Sequence, residues 1–200
     1  MVILENKVIE AVVDAEINKV IMIITNNENI LRAPCEDVTE DEVADLINRL
    51  DFELKESNRL GRSGIGLAAP QIGISKKVAI IRFSGVDINL VNCRIEKGFD
   101  QAKFLQEGCL SFPGRVEDTL RYQEVYIANN LIYPHSFIAT GIIAVICQHE
   151  IDHLNGKLFM DSAVSKIKLV PAITNVKQAP NDKCLCKSGK KFKKCCGRIK

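Results

Sequence analysis

The pentapeptide His149-Glu150-Ile151-Asp152-His153 constrains the fold more than any other part of this 200-residue chain. The residues from Gly141 up to the first histidine are mostly apolar, which predicts a helix buried against strands and ending at Asn155-Gly156. Residues four apart lie on one face of a helix, so both imidazoles can bind a single ion with the glutamate beside it. This spacing is typical of the helical half of a hydrolytic metal site.

The rest of the pattern predicts an α+β fold. Thr39 is expected to cap a helix whose first turn is acidic and whose apolar stripe continues to Leu54. A weaker helix is predicted over 162–170, and a short β-like run over 21–24. Further strands are predicted at Lys77–Phe83, Ile88–Ile95, Glu124–Ala128 and Ser136–Thr140. Because strands and helices do not alternate strictly, we expect mostly antiparallel strands around a buried central helix, not a doubly wound sheet.

Composition indicates the compartment of the protein and the chemistry of its cysteines. A hydrophobic fraction of 46% and a charged fraction of 26% are ordinary for a globular protein, and no apolar run is long enough to cross a bilayer. The first twenty residues contain four acids and no arginine, unlike a transit peptide or a secretion signal. We therefore expect a cytoplasmic protein without membrane contact, whose eight cysteines bind metal or stay as buried thiols.

Two further segments offer chemistry that fits the histidine helix. In the segment GIGLAAPQ (64–71), two glycines let a backbone approach a ligand closely, and Gln71 offers an amide N–H to an oxygen. In the segment EGCLS (107–111), Cys109 can serve as a thiolate ligand. Taken alone, a Gly-rich segment is more often a simple turn and a lone cysteine more often a small buried hydrophobe.

Together, GIGLAAPQ, EGCLS and QHEIDH resemble, in this order, the three motifs of the peptide deformylase family, over about residues 20–165. That family removes the formyl group from the N-terminal formylmethionine of nascent polypeptides and releases formate. The resemblance implies that Cys109, His149 and His153 hold the catalytic metal and that metal-bound water attacks the formyl carbon. It also implies that Glu150 acts as general base and acid, with Gln71 and the backbone N–H of Leu110 stabilising the oxyanion. The remaining expected substrate-binding residues are Ile65, Gly66, Gly108, Arg115, Val145 and Ile146.

The same resemblance suggests Fe(II) as the physiological ion, with Ni, Co or Zn able to substitute. Glu107 is expected to orient the ligands. The chain departs from the family pattern at Asn26-Asn27, at Asn92-Cys93 and between Ile127 and Phe137, none of which touches a proposed catalytic residue. The departures bear on loop shape and substrate preference, not on the reaction.

The C-terminal segment predicts a second metal site. Cys184, Cys186, Cys195 and Cys196, with the lysines and glycines around them, resemble the SEC-C motif, a small zinc hook. Four thiolates close a zinc tetrahedron, so this ion would be structural. Residues 181–200 contain eight Lys or Arg against one acid, a charge of +7, whereas the other 180 residues carry −5 of the total +2. This asymmetry favours an anionic partner, and we expect the tail to dock on the ribosome through ribosomal RNA, or on a protein.

These observations divide the chain into four parts. Residues 1–20 form an extension of unknown role, 21–170 the deformylase-like domain, 171–180 a linker and 181–200 the SEC-C-like motif. Two other functions stay open at this point. A peptidase with an HExxH motif would leave Cys109 and Gln71 without a role, and a catalytically inactive formyl-peptide binder would not need the full set of catalytic residues.

Overall fold

The computed structural model describes residues 23–165, 179–181, 183 and 189–194. The chain divides into two compact units, residues 1–167 and 168–200. In the described part of the first unit, three α-helices and two antiparallel sheets form the fold, so the predicted α+β class with antiparallel strands is confirmed. Of the β-like run at 21–24, only Ile23 and Ile24 are described, and neither lies in a strand.

The first sheet consists of β1 (Gly66–Ala68), β2 (Val78–Phe83) and β3 (Val86–Val91), paired antiparallel in that order. Strand β1 lies within the segment GIGLAAPQ, where the sequence pattern predicts no strand. The prediction of one strand over Ile88–Ile95 is wrong, because the chain breaks at Asn92, which has a φ of 45°. The Asn92 side chain accepts from Val38 N at 2.9 Å and donates to Val38 O at 2.9 Å, which holds the break in place.

The second sheet consists of β4 (Arg94–Gly108), β5 (Val116–Ala128) and β6 (Ser136–Thr140), also antiparallel. The β6 prediction is confirmed, whereas the strand expected at Glu124–Ala128 is only the end of β5. Strand β4 was not expected beyond Ile95. It was missed because many of its side chains are charged or exposed and its pairing register shifts between Phe104 and Glu107, which interrupts the alternation of apolar residues.

The α-helices are α1 (Glu28–Leu31), α2 (Glu40–Arg59) and α3 (Gly141–Leu154). The predicted start of α2 is confirmed, since the Glu42 carboxylate accepts from Thr39 N at 2.9 Å. Helix α3 ends where expected, and Gly156 has the left-handed φ of 66°. The helix expected over 162–170 is wrong in its described part. A short 3₁₀ turn, Phe159–Ser162, leads into a β-bridge between Ala163 and Thr119.

Helix α3 packs against both sheets. One buried apolar cluster joins its residues Ala144, Cys147 and Ile151 to side chains from β1, β2 and β3 and to others from β5 and β6. A second cluster packs the apolar stripe of α2 on the first sheet. Because α3 packs against both sheets, its polar C-terminal half lies beside Gly66 of β1 and Glu107 of β4.

Candidate metal centre and its cavity

The three expected ligands converge on one point. One ligand atom each from Cys109, His149 and His153 lie within 4.8 Å of one another. Cys109 directly follows the end of β4, and the two histidines are one helical turn apart on α3, with ring centroids 5.0 Å apart. Cys109 Sγ lies 3.3 Å from His153 Nε2. The fold therefore brings together a thiol and two imidazoles that are separated by forty residues of sequence.

This donor set fits a divalent metal ion. One buried atom that faces the centre, Glu150 Oε2, has no hydrogen-bond partner in the described part of the chain. Buried polar atoms are generally satisfied, so this atom indicates a group that is not part of the protein. One sulfur and two nitrogen ligands suit Zn and the neighbouring transition metals, and they leave a fourth position open.

Burial also sets the charge of the groups around the centre. Burial lowers the pKa of His153 well below its usual value, which favours the neutral imidazole that ligates metals. Burial likewise raises the pKa of Glu150 to about 7. For His149, burial lowers the pKa, but its bonds to Cys109 and Glu107 outweigh this and raise it well above the usual value.

A buried ionic network holds His149 from behind. Glu107 Oε1 accepts from His149 Nδ1 at 2.6 Å and from Arg121 Nη2 at 2.6 Å. Glu107 Oε2 accepts from Arg121 Nε at 2.9 Å and from Thr119 Oγ1 at 2.5 Å. Arg121 Nη1 reaches Asp152 Oδ2 at 2.6 Å. With its Nδ1 occupied by Glu107, His149 can ligate only through Nε2.

Each charged side chain of this network is paired with one of opposite charge. Although burial raises the pKa of Glu107, the bonds from His149 and Arg121 lower it to about 2. Sequence reasoning anticipated Glu107 but missed Thr119, Arg121 and Asp152. The available signal was a charged residue, Arg121, on the same face of the strand as the buried apolar residues Val125 and Ile127.

Gln71 and Leu110 lie at the same centre. Gln71 is 2% exposed; its Oε1 accepts from Ala68 N at 2.8 Å, and its Nε2 lies 3.4 Å from Cys109 Sγ and 3.2 Å from Ser111 Oγ. The amide nitrogen is therefore directed towards the thiol. The peptide between Cys109 and Leu110 is anchored as well, because Cys109 O accepts from Phe112 N at 3.0 Å. In a trans peptide the N–H of Leu110 points away from the Cys109 carbonyl oxygen, and so away from Phe112 N.

A cavity of about 610 Å³ opens in front of the centre. Cys109, His149, Glu150, Gln71 and Leu110 form part of its wall, whereas His153 is not among the lining residues. Its volume is that of a small-ligand site. All of the expected substrate-binding residues line it, namely Ile65, Gly66, Gly108, Arg115, Val145 and Ile146. Sequence reasoning missed other lining residues, among them Arg62, Phe104, Phe112, Val116 and Ile142.

Gly66 is required by this geometry. A Cβ on Gly66 would overlap Glu150 Oε1, so any larger residue would displace the carboxylate. The glycine thus allows the backbone of β1 to pass directly beside the Glu150 side chain.

The expected zinc ligands Cys184, Cys186, Cys195 and Cys196 lie outside the described residues. In the described part of the second unit, Lys183 forms an antiparallel bridge with Lys191, and a 3₁₀ turn spans Phe192–Lys194. Lys193 N donates to Pro180 O at 3.0 Å. None of the helices that the structure describes has the length and apolarity to cross a membrane.

Comparison with known proteins gives two family matches. Residues 20–168 match the model of the polypeptide deformylase family, and residues 181–198 match the SEC-C motif. Peptide deformylase 1 of Bacillus subtilis is 39% identical over 150 residues, which cover 72% of this chain and 89% of that protein. Peptide deformylase 1 of Pseudomonas syringae is 42% identical over 103 residues, which cover 49% of this chain and only 61% of that protein.

The chain is also similar to solved structures of peptide deformylases. The crystal structure of a peptide deformylase from Synechococcus elongatus, in complex with actinonin, is 35% identical and superposes with a TM-score of 0.63, covering 70% of this chain and 77% of that chain. Peptide deformylase 1B of Arabidopsis thaliana, in complex with an inhibitor, is 32% identical with a TM-score of 0.62, covering 72% of this chain and 82% of that chain.

Proposed function

The chain belongs to the polypeptide deformylase family of enzymes, and from this we propose that it removes the formyl group from the N-terminal formylmethionine of nascent polypeptides, with release of formate. One observation carries the proposal. Cys109, His149 and His153 have ligand atoms within 4.8 Å of one another, at a cavity that Glu150 also lines. A thiolate and two imidazoles beside a free carboxylate suit hydrolysis of a small amide.

Cys109, His149 and His153 would hold one divalent ion, Fe(II) in the cell, with Ni, Co or Zn able to replace it. When bound, the ion would lower the pKa of a water molecule towards neutrality. The network around Glu107 supports this assignment, because a ligating histidine usually donates its other N–H to a carboxylate.

The other residues of the cavity would transfer protons, stabilise the oxyanion or bind the substrate. Glu150 takes a proton from the attacking water and later delivers it to the leaving amine. The Gln71 amide and the backbone N–H of Leu110 donate to the formyl oxygen as it gains negative charge. Ile65, Val145 and Ile146 receive the methionine side chain. Gly66 and Gly108 let the peptide backbone approach, and Arg115 binds the peptide further out.

Formate release from formyl-Met-Ala-Ser by protein loaded with Fe(II) or Ni(II) tests the proposal. We expect turnover by the natural sequence and loss of at least a hundredfold in kcat in Glu150→Ala, because the proton acceptor is gone. No release by the loaded natural protein would contradict the proposal. Cleavage of internal peptide bonds would favour the peptidase alternative, and tight binding of the formyl peptide without turnover would favour the inactive binder.

For the rest of the chain we propose the organisation expected from the sequence: an extension over 1–20, a catalytic domain over 21–170, a linker over 171–180 and a zinc-binding motif over 181–200. The match of residues 181–198 to the SEC-C motif supports zinc binding by its four cysteines. We also propose a cytoplasmic location, because relatives such as that of Bacillus subtilis are bacterial and bacteria make formylated chains in the cytoplasm.

The basic charge of the tail supports docking on ribosomal RNA through phosphate contacts. We expect the full chain to sediment with ribosomes at moderate salt and a Lys191→Glu, Lys193→Glu, Lys194→Glu variant to remain in the supernatant. Equal sedimentation of both proteins would contradict ribosome docking. Formate release, measured on the same two samples, controls for folding of the catalytic domain.

A further inference from the structure

Arg62 stands out among the residues of the cavity because nothing in the proposed reaction uses it. The side chain is half-buried, lines the cavity, and donates from Nη2 to Leu110 O at 3.1 Å. An arginine side chain carries five N–H donors, and this neutral carbonyl is the acceptor found for Arg62 in the described part of the chain. Its positive charge therefore stands at the cavity without a carboxylate from the described residues.

The loop that presents Arg62 is held rigidly at the end of α2. Arg62 N donates to Ser57 O at 2.9 Å, and Ser57 Oγ donates to Arg62 O at 2.8 Å. The Asn58 side chain holds Gly64, further along the loop, by two bonds: Oδ1 accepts from Gly64 N at 2.6 Å, and Nδ2 donates to Gly64 O at 3.1 Å. The backbone that carries the Arg62 side chain is therefore ordered before a partner binds, so binding costs little backbone entropy there.

The charges around the cavity are unbalanced. Among its described lining residues the acids are Glu107 and Glu150, both 4% exposed, and Glu107 is already bound by Arg121 and His149. The second cation of the wall, Arg115, is paired with Glu117 at 3.1 Å. Arg62 is thus the arginine of this wall without a carboxylate partner among the described residues, whereas Arg115 has one in Glu117.

The position of Arg62 indicates which part of a substrate it would meet. Its guanidinium binds the carbonyl of Leu110, the residue after the Cys109 ligand, so it lies close to the reacting end of the peptide. An extended peptide advances about 3.3 Å per residue, so the residues just after the methionine pass this region. Resting on the proposed function, we propose that Arg62 makes the enzyme prefer nascent chains with an acidic side chain at the second or third position.

Formyl tripeptide amides test this preference, because amidation removes the C-terminal carboxylate that would otherwise compete for Arg62. The series is formyl-Met-Ala-Ser, formyl-Met-Asp-Ser, formyl-Met-Lys-Ser, formyl-Met-Ala-Asp and formyl-Met-Ala-Lys. At low salt we expect kcat/KM to be about fivefold to tenfold higher for the better Asp peptide than for its Lys counterpart, mainly through KM. The difference should shrink as salt is added.

Charge reversal separates a specificity role from a structural one. Arg62→Glu should invert the order of the Asp and Lys peptides, and Arg62→Gln should abolish the difference, whereas loss of the Leu110 contact alone would slow all peptides equally. Arg59→Gln, which removes a neighbouring exposed arginine paired with Glu56 and outside the cavity, should keep the natural preference. Equal kcat/KM for Asp and Lys peptides in the natural protein, or a preference that persists in Arg62→Gln, would overturn the proposal. If formyl-Met-Ala-Ser itself is not turned over, the proposed function fails first, and this inference fails with it.

Discussion

The two sides of the Cys109 centre are built from opposite materials. Behind His149 lies a back wall of hydrogen-bonded polar side chains, made of Glu107, Thr119, Arg121 and Asp152. Arg121 and Glu107 are only 3% and 4% exposed, and Glu107 also reaches the cavity. In front lies a front wall of apolar side chains and a glycine, made of Ile65, Gly66, Val145 and Ile146. From this contrast we expect stability and metal retention to depend mainly on the back wall, and turnover to depend mainly on the front wall.

The largest effect is expected from breaking the back wall with Arg121→Met. The change leaves Glu107 and Asp152 without their shared cation, and removal of one partner from a buried ionic network costs about 3–5 kcal/mol in the free energy of unfolding. Urea unfolding monitored by circular dichroism measures the loss.

Arg94→Met is the matched control, because Arg94 pairs with Glu96 at the surface and should cost no more than about 1 kcal/mol. Equal losses in the two variants would show that the back wall contributes no more to stability than a surface ion pair.

A smaller effect, confined to turnover, is expected from Gly66→Ala on the front wall. The added methyl group would overlap Glu150 Oε1 and move the carboxylate, and a displacement of that kind lowers kcat by up to about a hundredfold. Metal content by mass spectrometry should stay at the level of the natural protein, because no ligand is touched. An unchanged kcat, or loss of the metal together with turnover, would contradict the separation of the two walls.

The smallest effect is expected from Thr119→Val, which has nearly the same shape and removes one hydrogen bond to Glu107. Arg121 and His149 still bind the carboxylate, so the loss should be about 1.5 kcal/mol in the free energy of unfolding, the lower end for a hydrogen bond to a charged group. Metal affinity, measured by competition with a chelator, should fall only a few-fold. A loss as large as that of Arg121→Met would mean that the hydroxyl, not the guanidinium, holds Glu107 in place.

The sequence was most informative where contacts are local. The spacing of His149 and His153 fixes their common face as soon as α3 is helical, and Thr39 with Glu42 marks the start of α2 within one turn. The back wall could not be predicted in the same way. Thr119 and Arg121 meet Glu107 across 12 and 14 residues of sequence. Their meeting depends on the register of β4 against β5, which shifts at the irregularity before Glu107.

The front wall was only partly predictable for a different reason. Ile65, Val145 and Ile146 came from the family resemblance, because apolar side chains of this kind serve equally well in a core. Arg62 lay just outside the GIGLAAPQ segment, and its place in the cavity depends on the bonds that Ser57 and Asn58 make to the loop after α2. Such loop geometry is set by tertiary contacts that no local pattern reveals.

Bound nickel and formate release, measured together in two variants of the full chain, test whether Cys109 helps to hold the ion that the reaction needs. In the first, Cys184, Cys186, Cys195 and Cys196 are replaced by serine, so that thiolates of the tail cannot bind the ion. The second carries Cys109→Ala in addition. We predict one Ni(II) per chain and release of formate from formyl-Met-Ala-Ser in the first variant, and neither in the second. Retention of the ion or of formate release after Cys109→Ala would contradict the account.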